Sequence, residues 1–141
     1  MIIDHIGLVV RNLEKGIDHW RNIFGYYQAT EIVVNTRQKV RVVFMEKKDA
    51  ITIKLTEPTD ETSGIYQFAK KGGGLHHLCF RCHDITREID RLTGQGLRLL
   101  AGPEPGEAFD DETIAFLFAK HGLNIELIDT DKKAGRRSNT Q

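Results

Sequence analysis

Two imidazoles and a carboxylate interrupt stretches of this chain that are otherwise apolar. His5 lies in Asp4-His5-Ile6-Gly7-Leu8-Val9-Val10, His77 in His77-Leu78-Cys79-Phe80-Arg81-Cys82, and Glu126 in Ile125-Glu126-Leu127-Ile128. An unpaired carboxylate inside an apolar strand is costly, so Glu126 calls for partners. Two imidazoles and one carboxylate make a donor set for a divalent ion such as Fe, Co, Ni, Zn or Mn, with positions left open. The same groups can also form a metal-free hydrogen-bond network. A single strand histidine is ordinarily a satisfied core residue. The case for these two rests on their relation, because 72 residues separate them. The same offset carries Ile17-Asp18 onto Ile89-Asp90, Phe44 onto Phe116, and Ile53 and Leu55 onto Ile125 and Leu127. It also carries Lys54 onto Glu126.

The elements that must position these residues repeat with them. β-branched residues over 2–10 read as a strand. Apolar residues at Leu13, Ile17, Trp20, Ile23 and Phe24 are at helical spacing, with Asn12 as N-cap and Gly25 as stop. Residues 28–34, 40–46 and 51–56 read as three further strands, and Pro58 closes the first module. Residues 59–74 bridge to the second, with one or two helical turns over 63–70 and a flexible Gly72-Gly73-Gly74. The pattern then recurs: strand 75–82, helix 85–93, and strands 98–101, 113–118 and 124–128. Residues 102–111 read as a long loop that can rim a cavity. This gives an α+β protein of two tandem βαβββ modules, at 2–58 and 75–129. Their curved mixed sheet encloses a central trough, all within one domain at residues 1–130. Pseudo-symmetry places His5 and His77 on the trough face. His76 reads as pointing to the other face or supporting His77. His19, His83 and His121 read as solvated. Residues 131–141, with Lys132, Lys133, Arg136 and Arg137, read as a disordered basic tail.

Composition narrows the partners. The chain has 141 residues, enough for one domain with a real core. Lys plus Arg and Asp plus Glu both number 20, a balance that argues against nucleic acid as the main partner. No apolar run approaches the roughly 18 residues of a membrane span. The first residues do not have the pattern of a signal peptide, so a cytoplasmic location is expected. Cys79 and Cys82 have Cys-x-x-Cys spacing, but on a strand they point to opposite faces and read as two small packed residues.

Several stretches resemble the vicinal oxygen chelate superfamily, which includes glyoxalase I, methylmalonyl-CoA epimerase, extradiol dioxygenases and bleomycin-type resistance proteins. They are Asp4-His5-Ile6-Gly7-Leu8-Val9-Val10, Leu55-Thr56-Glu57-Pro58, Ser63-Gly64-Ile65-Tyr66-Gln67-Phe68 and Lys71-Gly72-Gly73-Gly74-Leu75-His76-His77-Leu78-Cys79. The resemblance spans roughly 2–129, and methylmalonyl-CoA epimerase is the nearest likeness. It implies a divalent metal held by His5, His77 and Glu126, and a homodimer. It implies a small acyl or carbonyl substrate, with CoA thioesters among the candidates. It also implies an epimerase or isomerase that removes a proton α to a metal-bound carbonyl. A glyoxalase I-like lactoylglutathione lyase and a non-catalytic bleomycin-resistance-type binder are the alternatives. A facial triad would also suit dioxygen chemistry at Fe(II).

Two departures bear on that reading. The family usually carries Glu or Gln where this chain has Lys54, and a protonated lysine has no lone pair for a metal. The epimerases often carry a glutamate in the loop that here reads Asn35-Thr36-Arg37-Gln38-Lys39. Three roles are open to Lys54. It can neutralise Glu126 in place of a metal, bind an anionic part of the substrate beside one, or act as a base. Glu126 and Lys54 are therefore the catalytic candidates, and Arg37, Lys39 and Arg41 can add positive charge at the trough mouth.

Overall fold

Alternation along the first strand, β1 (Ile2–Val9), separates its two faces. Ile6 and Leu8 pack outward beneath the first helix, while His5, Gly7 and Val9 are buried on the opposite face. The computed structural model describes residues 1–138. Helix α1 (Leu13–Phe24) is capped as its sequence predicts. Asn12 Oδ1 accepts the Lys15 amide at 2.8 Å, and Gly25 ends the helix at φ 74°. Its Leu13 and Ile17 pack on Val43, Met45, Ile53 and Leu55. Strands β2 (Tyr27–Gln28), β3 (Val33–Asn35), β4 (Val40–Glu46) and β5 (Thr52–Pro58) complete the module. A short helix, α2 (Tyr66–Lys70), lies in the bridge.

The second module repeats this with β6 (Gly74–Arg81), α3 (Ile85–Gly94), β7 (Arg98–Gly106), β8 (Glu112–Phe118) and β9 (Asn124–Ile128). The nine strands form one mixed sheet in the order β2-β4-β5-β1-β6-β9-β8-β7, with β3 also on β4. Each module's first strand pairs parallel with its last, β1 with β5 and β6 with β9. The modules join through antiparallel pairing of β1 with β6. The four central strands, β5-β1-β6-β9, thus bear Lys54, His5, His77 and Glu126 respectively. Helices α1 and α3 cover separate outer clusters, and an inner cluster of Val42, Phe44, Cys79, Phe109, Ile114 and Ile128 lines the base of the trough. Cys79 lies in that inner cluster, and Cys82 packs with the outer one beneath α3. Both are free thiols. No helix among the described residues is long and apolar enough to cross a membrane.

Three expectations are corrected. The strand expected over 28–34 is divided into β2 and β3. At the break the backbone still bonds to β4, with Ala29 donating to the Phe44 carbonyl and Phe44 donating to Thr30 Oγ1. The loop expected from 102 begins as strand: β7 continues through Pro103 and Pro105, with Glu104 opposite Ile114. It is an edge strand, where proline's missing N–H is tolerated. A 3-10 turn at Glu107–Phe109 then drops Ala108 and Phe109 into the inner core. Finally, residues 131–138 are not a loose end. They return to the body, and Arg136 forms an isolated bridge with Thr30. Composition misses this because the segment is held by ion pairs and backbone hydrogen bonds, not by an apolar face. Residues 139–141 of the expected tail lie outside the described residues.

The module junction depends on a close backbone approach. Gly73 has φ 71°, and a Cβ there would lie 2.2 Å from the Val9 carbonyl oxygen. Gly73→Ala is expected to destabilise the fold by upwards of about 1 kcal/mol, read as a lower denaturant midpoint at unchanged slope.

Candidate metal centre

Register brings the repeat-related residues to one point. Gly7 lies opposite His77 in the β1·β6 pair and opposite Lys54 in the β1·β5 pair. Cys79 lies opposite His5 and Glu126. Inward alternation then converges the side chains above these strands. His5 Nε2 is 3.1 Å from Glu126 Oε1, His77 Nε2 is 3.0 Å from the same oxygen, and the two Nε2 atoms are 3.3 Å apart. His5 and Glu126 are fully buried, and His77 nearly so.

The other nitrogen of each ring is held by its preceding residue, through a device that occurs twice. The β1·β6 register shifts between Ile3 and His5, and again between Gly7 and Leu8. The first shift leaves Asp4 as an extra residue. The second does the same for His76, its counterpart under the repeat. A bulge of this kind re-aims a side chain that strict alternation would send away. Asp4 Oδ2 lies 2.8 Å from His5 Nδ1, and His76 Nδ1 lies 2.8 Å from His77 Nδ1. His76 therefore supports His77 and also lines the trough, instead of lying on the outer face.

These partners decide what the inner nitrogens are. Asp4 Oδ2 is placed to accept a proton from His5 Nδ1, and a neutral ring with that proton offers Nε2 as a lone pair. If His77 Nδ1 donates to His76, its Nε2 is likewise a lone pair. Burial pushes His77 down to about 4, so its ring is neutral near pH 7. Burial alone would raise Glu126, but the Lys54 ammonium and the adjoining His5 and His77 rings outweigh it and hold the carboxyl well below its usual range. Glu126 Oε2 is buried with no hydrogen-bond partner among the described residues. In those tautomers three acceptors meet within 3.0–3.3 Å, an arrangement that a cation among them relieves. Their separations are close to the roughly 3 Å between adjacent donors around an ion with bonds of about 2.1 Å. His5, His77 and Glu126 therefore fit a divalent ion.

Lys54 occupies the fourth symmetric position. Its Nζ is 3.6 Å from Glu126 Oε1 and 5.3 Å from the centre of the Phe109 ring, and the residue is buried. It lines a cavity of about 470 Å³ together with His76, His77, Phe116 and Asn124. Arg37 and Lys39 also reach this cavity, from the β3–β4 turn. Arg41 does not share their face as simple alternation suggests. The turn, with Lys39 at φ 56°, breaks the alternation, and Arg41 pairs with Glu14 and Glu57 instead.

Sequence reasoning missed Asp4 and Gly7 as parts of the site. Asp4 had a signal, since it precedes His5 and the repeat sets it against His76. Gly7 had none without register. A Cβ at Gly7 would lie 2.0 Å from His77 Cε1, so only glycine lets that ring stand where it does. Gly7→Ala is expected to displace His77 and weaken Co²⁺ binding by at least about tenfold while leaving the far-UV circular dichroism unchanged.

Comparison with known proteins places this geometry. Residues 4–116 match the family model of the glyoxalase/bleomycin resistance protein/dioxygenase superfamily. The ethylmalonyl-CoA/methylmalonyl-CoA epimerase of Cereibacter sphaeroides is 30% identical over 129 residues, covering 89% of this chain and 95% of that protein. The crystal structure of methylmalonyl-CoA epimerase from Mycobacterium tuberculosis superposes with a TM-score of 0.79 at 30% identity, over 90% of this chain and 86% of that one. A Streptomyces coelicolor methylmalonyl-CoA epimerase variant in complex with 2-nitronate-propionyl-CoA superposes with a TM-score of 0.78 at 29% identity, over 93% of this chain and 98% of that one. The chain belongs to the glyoxalase/bleomycin resistance protein/dioxygenase superfamily, and the relatives it resembles include methylmalonyl-CoA epimerases.

Proposed function

We propose that the protein is a divalent-metal-dependent epimerase acting on an acyl-CoA thioester of the methylmalonyl-CoA type. The observation that carries this reading is the convergence of three potential metal donors, His5 Nε2, His77 Nε2 and Glu126 Oε1, beside a cavity of about 470 Å³. A cavity of that volume suits a small acyl group with part of its carrier. The similar epimerases of Cereibacter sphaeroides and Mycobacterium tuberculosis support the substrate class. His5, His77 and Glu126 would hold the ion, which supplies Lewis acidity to a substrate carbonyl.

The remaining chemistry falls to the side chains. Epimerisation needs a proton removed α to the carbonyl and one returned on the opposite face of the same carbon. The turn at Asn35–Lys39 offers no carboxylate. Lys54 and Glu126, 3.6 Å apart, are the pair assigned here. Glu126 Oε2, with no hydrogen-bond partner among the described residues, is the oxygen proposed to take a proton, and Lys54 on the cavity wall is the group proposed to return one. The Lys54 ammonium compensates negative charge developing on the substrate and orients its anionic group. Arg37 and Lys39 at the mouth would face the phosphates of the carrier. The Lys54–Glu126 contact also favours a second reading, a metal-free binder in which the ammonium replaces the ion.

Two experiments separate these readings. Incubated in D₂O with Co²⁺, the protein is expected to exchange the α-proton of methylmalonyl-CoA, and His77→Ala is expected to lose both bound metal and exchange. Binding of the thioester with no exchange at any metal concentration would establish the binder. Lys54→Met is expected to lower kcat by about 10²-fold, while Co²⁺ binds as tightly or more tightly once the neighbouring positive charge is gone. Unchanged kcat would remove Lys54 from the mechanism.

A further inference from the structure

The returning segment at residues 131–138 reaches the back of the site. Lys133 is buried, with its Nζ 3.2 Å from Asp4 Oδ2 and 3.3 Å from Oδ1. The same nitrogen is 5.1 Å from the centre of the Phe44 ring, whose ring in turn packs edge-on against His5. Lys133 therefore meets two of the groups packed against the His5 imidazole. Other contacts anchor the segment without it. Ala134 donates to the Ala108 carbonyl and Glu31 to that of Gly135. Arg136 bonds both Glu46 oxygens, and Arg137 pairs with Glu31. The backbone that delivers the ammonium is thus held at several points away from Asp4.

Asp4 has a second cationic neighbour, since Arg81 Nη1 lies 3.4 Å from Oδ1. Arg81 reaches only the oxygen that does not serve His5. Lys133 spans both oxygens. We infer that Lys133 is a positioning residue for the proposed metal centre. It clamps the Asp4 carboxylate so that Oδ2 receives the His5 Nδ1 proton, which leaves the Nε2 lone pair facing Glu126 and His77. Without the clamp, Asp4 is free to turn towards Arg81. His5 can then shift its proton to Nε2 and donate to Glu126 Oε1, already 3.1 Å away. A ring in that tautomer is no longer a metal donor. The consequence for metal rests on the proposed metal reading, but the tautomer does not.

The test uses ¹⁵N chemical shifts of His5 in the metal-free protein, together with Co²⁺ titration. The parent is expected to show Nδ1 protonated and Nε2 bare. Lys133→Met is expected to populate the Nε2–H form and weaken Co²⁺ binding by about tenfold or more, and Lys133→Arg to restore both. Glu31→Gln, which loosens the outer anchor of the segment, is expected to leave both readouts within about twofold of the parent. Unchanged tautomer and affinity in folded Lys133→Met would overturn the inference, as would an equal loss in Glu31→Gln. If the Met variant does not fold, Lys133→Gln is judged by the same readouts. A parent that binds no Co²⁺ refutes the metal reading alone, and the His5 tautomer still decides the role of Lys133.

Discussion

The structure is organised around a fully buried carboxylate that must not stand alone. Glu126 has no exposure, and its charge lies at the meeting point of four central strands. Burial of such a group is tolerated only when donors or cations surround it. Here one oxygen faces two imidazole nitrogens and an ammonium, and the other has no hydrogen-bond partner among the described residues. The imidazoles do not discharge the debt if both present lone pairs. The Lys54 ammonium supplies one cation to this carboxylate, and the bulges and the returning segment orient the imidazoles around it.

The imidazoles are oriented by one repeated device. Each module supplies an inward histidine on its first strand and a bulged residue before it that grips Nδ1. Duplication lets two modules share one site at the β1·β6 seam, where neither could close it alone. The copies have diverged in chemistry. On one side the grip is a carboxylate, a strong acceptor backed by Lys133. On the other it is the imidazole of His76, a residue whose backbone carbonyl accepts from Asn124 Nδ2 at 3.2 Å. The two histidines are thus equivalent in place and unequal in the groups that orient them.

Lys54 is the largest break in the symmetry. Its position mirrors Glu126, so a strictly repeated module would set two carboxylates or two cations face to face. Opposite charges instead give a compact pair in a low-dielectric pocket, where an interaction at 3.6 Å is stronger than at the surface. The ammonium remains on the cavity wall, so the group that balances Glu126 is also one that a substrate anion would meet.

Much of this was legible along the chain. Offset and alternation identified two βαβββ modules, set His5, His77, Lys54 and Glu126 on one face, and located the helix of each module and the caps of α1. These are local properties: side-chain direction in a strand follows parity, and a helix follows periodicity and its N-cap. Tertiary structure alone decided the rest. The bulges at Asp4 and His76 exist only as a mismatch between two strands 72 residues apart, so no single strand shows them. Gly7 matters because His77 passes over it, at a register that only pairing fixes. The segment at 131–138 has the composition of a solvated end, yet Lys133 is buried because Asp4, far away in sequence, offers the one buried carboxylate it touches. Charge compensation depends on distance in space, and one-dimensional patterns carry parity and periodicity but not that distance.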